Sequence, residues 1–235
     1  MSVLQINSLS KQIGNRRIIN DISFSIEEGE IVGLVGPKGS GKTTLVRLIT
    51  KLINPDKGEI LISGYDILKY REKAMTLISA IMENHGLYDY LTGFDNINYI
   101  RKINKIDKEK IKNVIEYMGV SEFINDKVYK YSAWMKLKLE LGICMLKDPK
   151  LLILDEPDKQ LKLNEIYYLH NILQDISKNK GTAVLIMAQS LSNIKNICNK
   201  ILYIKNGKIE DAESTQEYFI VNNTLSGLKN FKGEN

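Results

Sequence analysis

The sequence predicts an α/β fold, a strand-rich core interrupted by a helical insert of roughly fifty residues. Three observations predict it. Runs such as Ile31–Val35, Leu151–Leu154 and Ala183–Ala188 are apolar throughout and strand-sized, as in a buried sheet. A glycine-rich loop stands between the first of these runs and a helical pattern. From about Leu91 to Met145 the apolar spacing changes from two residues to about 3.6.

The elements follow in order. Val3–Lys11 and Asp21–Ile26 alternate with a period of two and read as strands. Glu28-Gly29-Glu30 is a turn into the strand Ile31–Val35, and a helix runs from Lys42 to about Thr50. Asn54–Gly58 turns into the strand Glu59–Ser63, and Thr76–Met82 is a further strand. Ile97, Ile100, Ile103, Ile111, Val114, Ile115 and Met118 then fall on helical faces, continued by Trp134, Leu137, Leu141 and Cys144. Strand spacing returns at Leu151–Leu154, followed by a helix over Leu163–Ile176, a strand over Thr182–Met187 and a short helix near Leu191. Lys200–Ile209 is a hairpin turning at Asn206-Gly207. The expected organisation is one domain over 1–235. Its core covers 1–82 and 150–210, its helical part about 83–149, and a short polar tail 211–235.

Composition narrows the classes. Among 235 residues, 43% are apolar and 26% charged, which is globular composition and excludes disordered, collagen-like and disulfide-scaffold proteins. Two cysteines, Cys144 and Cys198, cannot make a disulfide framework; in apolar, helical context they read as buried thiols of a reducing compartment. No apolar run approaches the ~18 residues needed to span a bilayer. The start, MSVLQINSLSKQ, alternates like a strand and lacks the apolar core of a signal peptide. A cytoplasmic protein is expected, with no direct membrane insertion and any membrane role borne by a partner. The net charge of +5 suits an anionic ligand, but no dense basic stripe points to nucleic acid.

Gly36-Pro37-Lys38-Gly39-Ser40-Gly41-Lys42-Thr43 matches G-x-x-x-x-G-K-[ST], with a strand before it and a helix after it. Glycines let backbone N–H groups turn toward a phosphate with no Cβ in the way, and the helix N-terminus adds positive potential. Lys42 is placed to reach β- and γ-phosphates, and the Thr43 hydroxyl to ligate Mg²⁺. Chance supplies only about 0.01 such matches in a chain of this length. Leu151–Leu154 ends in Asp155, Glu156 and Pro157. Downstream of a phosphate loop, such an Asp holds Mg²⁺ and the adjacent Glu is placed to polarise an attacking water.

On these residues the chain resembles the nucleotide-binding subunit of ATP-binding cassette (ABC) transporters over about residues 1–210. The resemblance is also carried by GEILISG (Gly58–Gly64), HGLYDYLT (His85–Thr92), YSAWMKLKLELGICMLKDP before LLILDEP, and the late hairpin ILYIKNGKI. The Glu83–Thr92 stretch and YSAWMK look most like exporters of the drug, bacteriocin and antibiotic-immunity type. The resemblance implies a P-loop NTPase, RecA-like core with an N-terminal antiparallel β subdomain and a helical insert. It implies ATP and Mg²⁺ as cofactors, a head-to-tail dimer (homodimer or heterodimer with another ABC ATPase), and integral membrane permease subunits that place the chain at the inner face of the membrane.

Mapped residue by residue, the resemblance gives nucleotide contacts to Gly36, Pro37, Lys38, Gly39, Ser40, Gly41, Lys42, Thr43 and Thr44. It gives catalysis to Glu156, Lys42 and Gln189, and metal binding to Thr43, Asp155 and Glu83. Several positions depart from the family pattern. Ile13 stands where an aromatic usually stacks on the base, and Glu83 where a glutamine is usual. The signature that faces the partner's nucleotide reads Ser132-Ala133-Trp134 in place of Ser-Gly-Gly. Trp134 has two open placements: turned outward as a packed aromatic of the helical insert, or at the interface where it blocks close backbone approach to ATP. Lys162 replaces an acid of the following loop, and Gln189 replaces the switch histidine, keeping a hydrogen-bond donor but no positive charge. His85 and His170 read as ordinary surface or turn residues. The expectation is ATP binding with slow or partner-dependent hydrolysis, either driving export of a drug, peptide or antibiotic or serving as a regulatory subunit beside an intact cassette. Soluble ABC proteins of translation or repair need two cassettes or a long coiled coil, and the late hairpin disfavours a small P-loop kinase.

Overall fold

A computed structural model describes residues 1–82 and 86–210. Glu83, His85 and the tail 211–235 lie outside the described residues. β1 (Ser2–Ile13) and β2 (Arg16–Glu27) form a long antiparallel hairpin. β3 (Ile31–Val35) leads through the glycine-rich loop into α1 (Lys42–Ile49). β4 (Lys57–Ile62) and β5 (Tyr65–Asp66) return to the hairpin and complete a four-stranded sheet of order β2-β1-β4-β5. In it Leu4 faces Ile26 on one side and Ile62 on the other.

α2 (Arg71–Thr76) and β6 (Ile78–Ile81) precede three helices, α3 (Gly93–Ile103), α4 (Glu109–Met118) and α5 (Ala133–Met145). β7 (Leu151–Asp155), α6 (Leu163–Lys180) and β8 (Ala183–Ala188) follow, and β9 (Lys200–Lys205) with β10 (Lys208–Glu210) makes the last hairpin. The second sheet has the order β10-β9-β3-β8-β7-β6 and is parallel except for β10.

That sheet is covered on both faces, which is why its strands carry no polar alternation. Successive residues point to opposite faces. Val32, Leu34, Leu151, Ile153 and Leu185 pack with α1 and the antiparallel sheet. Ile31, Val35, Leu152, Leu154 and Ile186 pack with α3 to α6. β3, β8 and β7 are adjacent and parallel, so their C-terminal ends open side by side. A crevice at those ends is where open α/β sheets bind ligands.

The structure corrects three expectations. Thr76 closes α2, so the strand read over Thr76–Met82 begins only at Ile78. The segment near Leu191 forms turns, not a helix. Cys144 does lie buried in α5, but Cys198 is only partly buried and sits in a non-helical segment against Gly33. Burial pushes both thiols up to about 12. At neutral pH the reactive thiolate is therefore scarce. Iodoacetamide at pH 7.5 is expected to leave both thiols unmodified over minutes in the folded chain and to alkylate both in denaturant. Mass spectrometry reads the result, and rapid labelling of the native chain would contradict the packing.

Candidate functional site

The loop 36–43 takes its shape from contacts that side chains would obstruct. Gly36 donates its N–H to the Ala188 carbonyl at 3.2 Å. A Cβ on Gly36 would lie 2.2 Å from the Ile204 carbonyl oxygen of β9, closer than any such contact is tolerated. Gly41 precedes α1 with φ 112°, a left-handed conformation that favours glycine. The last hairpin clasps the loop from outside: Gly207 donates to the Ser40 carbonyl at 3.3 Å and accepts from Asn20 of β2 at 2.8 Å.

Within this frame Lys42 is folded inward, its side chain 4% exposed. Its ammonium donates to the carbonyls of Gly36 at 2.6 Å and Pro37 at 3.2 Å. Burial lowers its pKa from the usual lysine value, while the negative charges of Glu156 and Asp155 work in the opposite direction. Thr43 donates its hydroxyl to Asp155 Oδ2 at 3.0 Å, joining the start of α1 to the end of β7. Ser40 is buried, and its Oγ has no hydrogen-bond partner among the described residues.

Glu156 follows β7 with φ 54°, a strained conformation for a non-glycine residue, and its N–H is held by the Met187 carbonyl at 3.0 Å. The turn aims its carboxylate at three donors. Gln189, one residue past β8, donates from Nε2 to Oε2 at 2.7 Å. Lys42 Nζ lies 3.7 Å from Oε1, and Lys159 Nζ lies 3.9 Å from Oε2. Strand adjacency brings residues 42, 156 and 189 together from three separate parts of the chain.

A cleft of about 320 Å³ opens over this cluster. Lys38, Gly39, Gly41, Lys42, Thr43 and Thr44 form one wall, and Glu156, Lys159 and Gln189 another. Its size and polar lining suit a small anionic ligand. Two of its residues were not legible as site residues. Ile18 of β2 lines the cleft, whereas Ile13 stands 51% exposed at the β1–β2 turn and does not line it. Lys159 enters only because the loop after Pro157 turns its side chain back, a path that no spacing rule encodes.

Ser132 caps α5, its Oγ accepting from the Met135 N–H at 3.2 Å. Ala133 lines a smaller cavity that also touches Asp155 and Glu156. Of the two placements open to Trp134, the chain adopts the packed one. The indole is half-buried against the helical core, with Lys138 Nζ 5.7 Å from its ring. His170 bonds the Asn193 carbonyl at 2.7 Å, away from the cleft. Lys162 is the N-cap of α6, its N–H donating to Glu165 at 2.8 Å.

A phosphate-shaped loop between a buried parallel strand and a helix, with an acidic pair at the end of β7 two strands away in the same sheet, defines a P-loop nucleotide-binding protein. The ABC transporter family model matches residues 19–159. "Uncharacterized ABC transporter ATP-binding protein YhcH" of Bacillus subtilis (strain 168) is 39% identical over 217 residues, covering 92% of this chain and 71% of the relative. "Methionine import ATP-binding protein MetN" of Clostridioides difficile (strain 630) is 29% identical over 240 residues, 99% of this chain and 74% of the relative. "Lantibiotic transport ATP-binding protein SrtF" of Streptococcus pyogenes is 29% identical over 223 residues, 92% of this chain and 96% of the relative. A solved "ATP binding subunit of ABC transporter" shares the fold with a TM-score of 0.81 at 23% identity, covering 92% of this chain and 93% of that one. The chain belongs to the ABC transporter family as an ATP-binding subunit, a P-loop ATPase. Among the described residues no helix is long and apolar enough to cross a membrane.

Proposed function

We propose that this chain binds ATP in the cleft over Lys42 and uses it to drive export of a drug, peptide or antibiotic through separate permease subunits at the inner face of the cell membrane. The observation that carries the ATPase reading is the Glu156 carboxylate, held between Lys42 and Gln189 on the cleft wall. The export reading draws support from the lantibiotic-transport relative and from the Glu83–Thr92 and YSAWMK stretches. The chain is proposed to form a single nucleotide-binding domain over 1–235, with a core at 1–82 and 150–210, a helical part at about 83–149 and a short tail at 211–235.

In this reading the loop from Gly36 to Thr44 cradles the phosphates. Lys42 leaves the Gly36 and Pro37 carbonyls for the β- and γ-phosphates, and Ile18 offers apolar contact toward the base. Thr43 and Asp155 suit Mg²⁺, because a hydroxyl and a carboxylate oxygen already within 3.0 Å are hard donors of the kind this ion takes with phosphate and water. Glu83 is the third proposed ligand. An ion held there would supply charge neutralisation to the phosphates. Glu156 accepts a proton from the attacking water, and Gln189 orients the carboxylate through its amide. Ser132, Ala133 and the backbone of Trp134 face the nucleotide of a partner cassette, in a homodimer or a heterodimer, with the indole packed away in the helical part.

One observation favours partner-dependent hydrolysis. Gln189, at the switch position, meets Glu156 with a neutral amide and brings no positive charge to the cleft. Purified alone, the chain is expected to bind ATP with little turnover. Gln189→His is expected to raise steady-state phosphate release severalfold. Brisk turnover by the wild type that Gln189→His leaves unaltered would remove the partner-dependent reading. Loss of the chain is expected to sensitise its host to membrane-active peptides and antibiotics, whereas loss of nutrient uptake would assign import instead.

A further inference from the structure

We propose that Asn193 is a positioning residue of the hydrolytic site, acting through Gln189 on the Glu156 carboxylate. The inference rests on the reading of Glu156 as a base that Gln189 orients. Two stretches of chain leave the C-terminal ends of the neighbouring strands β7 and β8, and three hydrogen bonds join them in succession. The Glu156 N–H donates to the Met187 carbonyl at 3.0 Å, the Gln189 amide to Glu156 Oε2 at 2.7 Å, and Asn193 Nδ2 to Asp158 Oδ2 at 2.7 Å. The first bond lies at the strand ends, the second holds the reacting carboxylate, and the third closes the pair beyond it. Asn193 and Asp158 are both half-buried, and neither lines the cleft over Lys42.

Glu156 needs such support. Its φ of 54° is a conformation that persists only where the surroundings over-determine it. The stretch after Gln189 makes its own turns, with Ile194 and Lys195 donating to the Leu191 carbonyl, and has no strand partner to fix it. Asn193 fixes it twice. Its carbonyl bonds His170 Nε2 of α6 at 2.7 Å, and its side chain bonds Asp158, with Oδ1 accepting from Ser192 Oγ at 3.4 Å. Asp158 lies two residues past Glu156 and Asn193 four past Gln189, so the side-chain bond bridges the two stretches just beyond the reacting pair. Without that bridge the amide wanders on the carboxylate, and a misplacement of an ångström in a reacting group can cost about 10²-fold. The phosphate loop takes no part in the bridge, so turnover depends on it and ATP binding does not.

The test exchanges donor and acceptor. Asn193→Asp sets two carboxylates against each other, Asp158→Asn alone keeps an acceptor oxygen for Asn193, and the double variant restores the bond with its roles reversed. In the full chain, Asn193→Asp is expected to lower phosphate release from labelled ATP about tenfold, with ATP affinity held within about twofold. Asp158→Asn should cost about twofold in release, and the double variant should regain most of what Asn193→Asp loses. An undiminished rate, a loss that the double variant does not repair, or ATP affinity falling in step with turnover would overturn the proposal. Should Asn193→Asp unfold at the assay temperature, Asn193→Ala removes the donor without adding a charge and is read by the same split between turnover and affinity. Should the wild type release no more phosphate than Glu156→Gln, NMR of the isotope-labelled Gln189 side-chain amide decides. Its resonances are expected to move in Asn193→Asp and to return in the double variant, and unmoved resonances would overturn the proposal. Glu156→Gln turning over as fast as an active wild type removes the reading of the base and this inference with it. An inactive Glu156→Gln beside an unaffected Asn193→Asp removes the inference alone.

Discussion

Glu156→Gln is expected to lower steady-state phosphate release by about 10²- to 10³-fold, measured beside an intact partner cassette if the chain alone turns over slowly. ATP affinity in the same samples should hold or strengthen. The amide has nearly the shape of the carboxylate, so it can occupy the left-handed turn at φ 54° that aims residue 156 into the cleft. It also remains able to accept from Gln189 through its carbonyl oxygen. What it loses is the proton acceptor and the negative charge. Losing the acceptor stops water activation. Losing the charge releases Lys42 from a competing anion and makes it more available to phosphate. Turnover equal to wild type would exclude Glu156 as the base. A collapse of ATP affinity would show instead that its main work is to hold Lys42.

Gly36→Ala is expected to be the most damaging small substitution in the loop. The new Cβ would stand 2.2 Å from the Ile204 carbonyl, 2.8 Å from Ser40 Oγ and 2.9 Å from Ile204 Cγ2. The nearest obstacle is backbone in β9, which is paired in register with β3, so neither strand can yield without straining the sheet. Overpacking of this kind costs about 1–3 kcal/mol. In a chain of this size that is a fall of several degrees in unfolding midpoint, about 2–4 °C per kcal/mol. ATP binding should fall as well, because relief of the clash moves the loop. Gly39→Ala is the matched comparison: nothing lies within 4 Å of its Cβ, and only its φ of +81° resists the change. Its cost should be about 1–2 kcal/mol, from backbone strain alone. Equal effects of the two substitutions would mean that the contact with β9 does not shape the loop.

The two halves of the site differ in how far the sequence reveals them. The phosphate loop is legible because every group it needs is local: strand, glycines, Lys42 and Thr43 follow one another. Asp155 and Glu156 are legible because an apolar strand ends on them. β3 matches the run Ile31–Val35 in full, since a strand buried on both faces must be apolar throughout. β5 has two residues and α2 six, too few to show a period. The turns near Leu191 carry apolar residues at helical spacing because they pack on the sheet, which is why they read as a helix. Lys159 and Ile18 were hidden for another reason. Lys159 depends on the path of the loop after Pro157 and Ile18 on how the antiparallel sheet lies over the phosphate loop, and neither leaves a trace in local spacing.

The supports of the phosphate loop also impose a schedule. Thr43 finds Asp155 across 112 residues, and Ile31 at the base of β3 donates to Asn199 across 168. The hairpin that clasps Ser40 and crowds Gly36 is made later still. At synthesis rates of about 5–20 residues per second, the loop waits on the order of 10–30 s for its last neighbours to emerge. During that interval a nascent chain holds the whole nucleotide-binding sequence without its shape, and two apolar strand faces without their cover. Ribosomes halted between β8 and β9 should therefore display chains that chaperones capture and that an ATP resin does not, whereas chains extended past Gly207 should cross over in both respects.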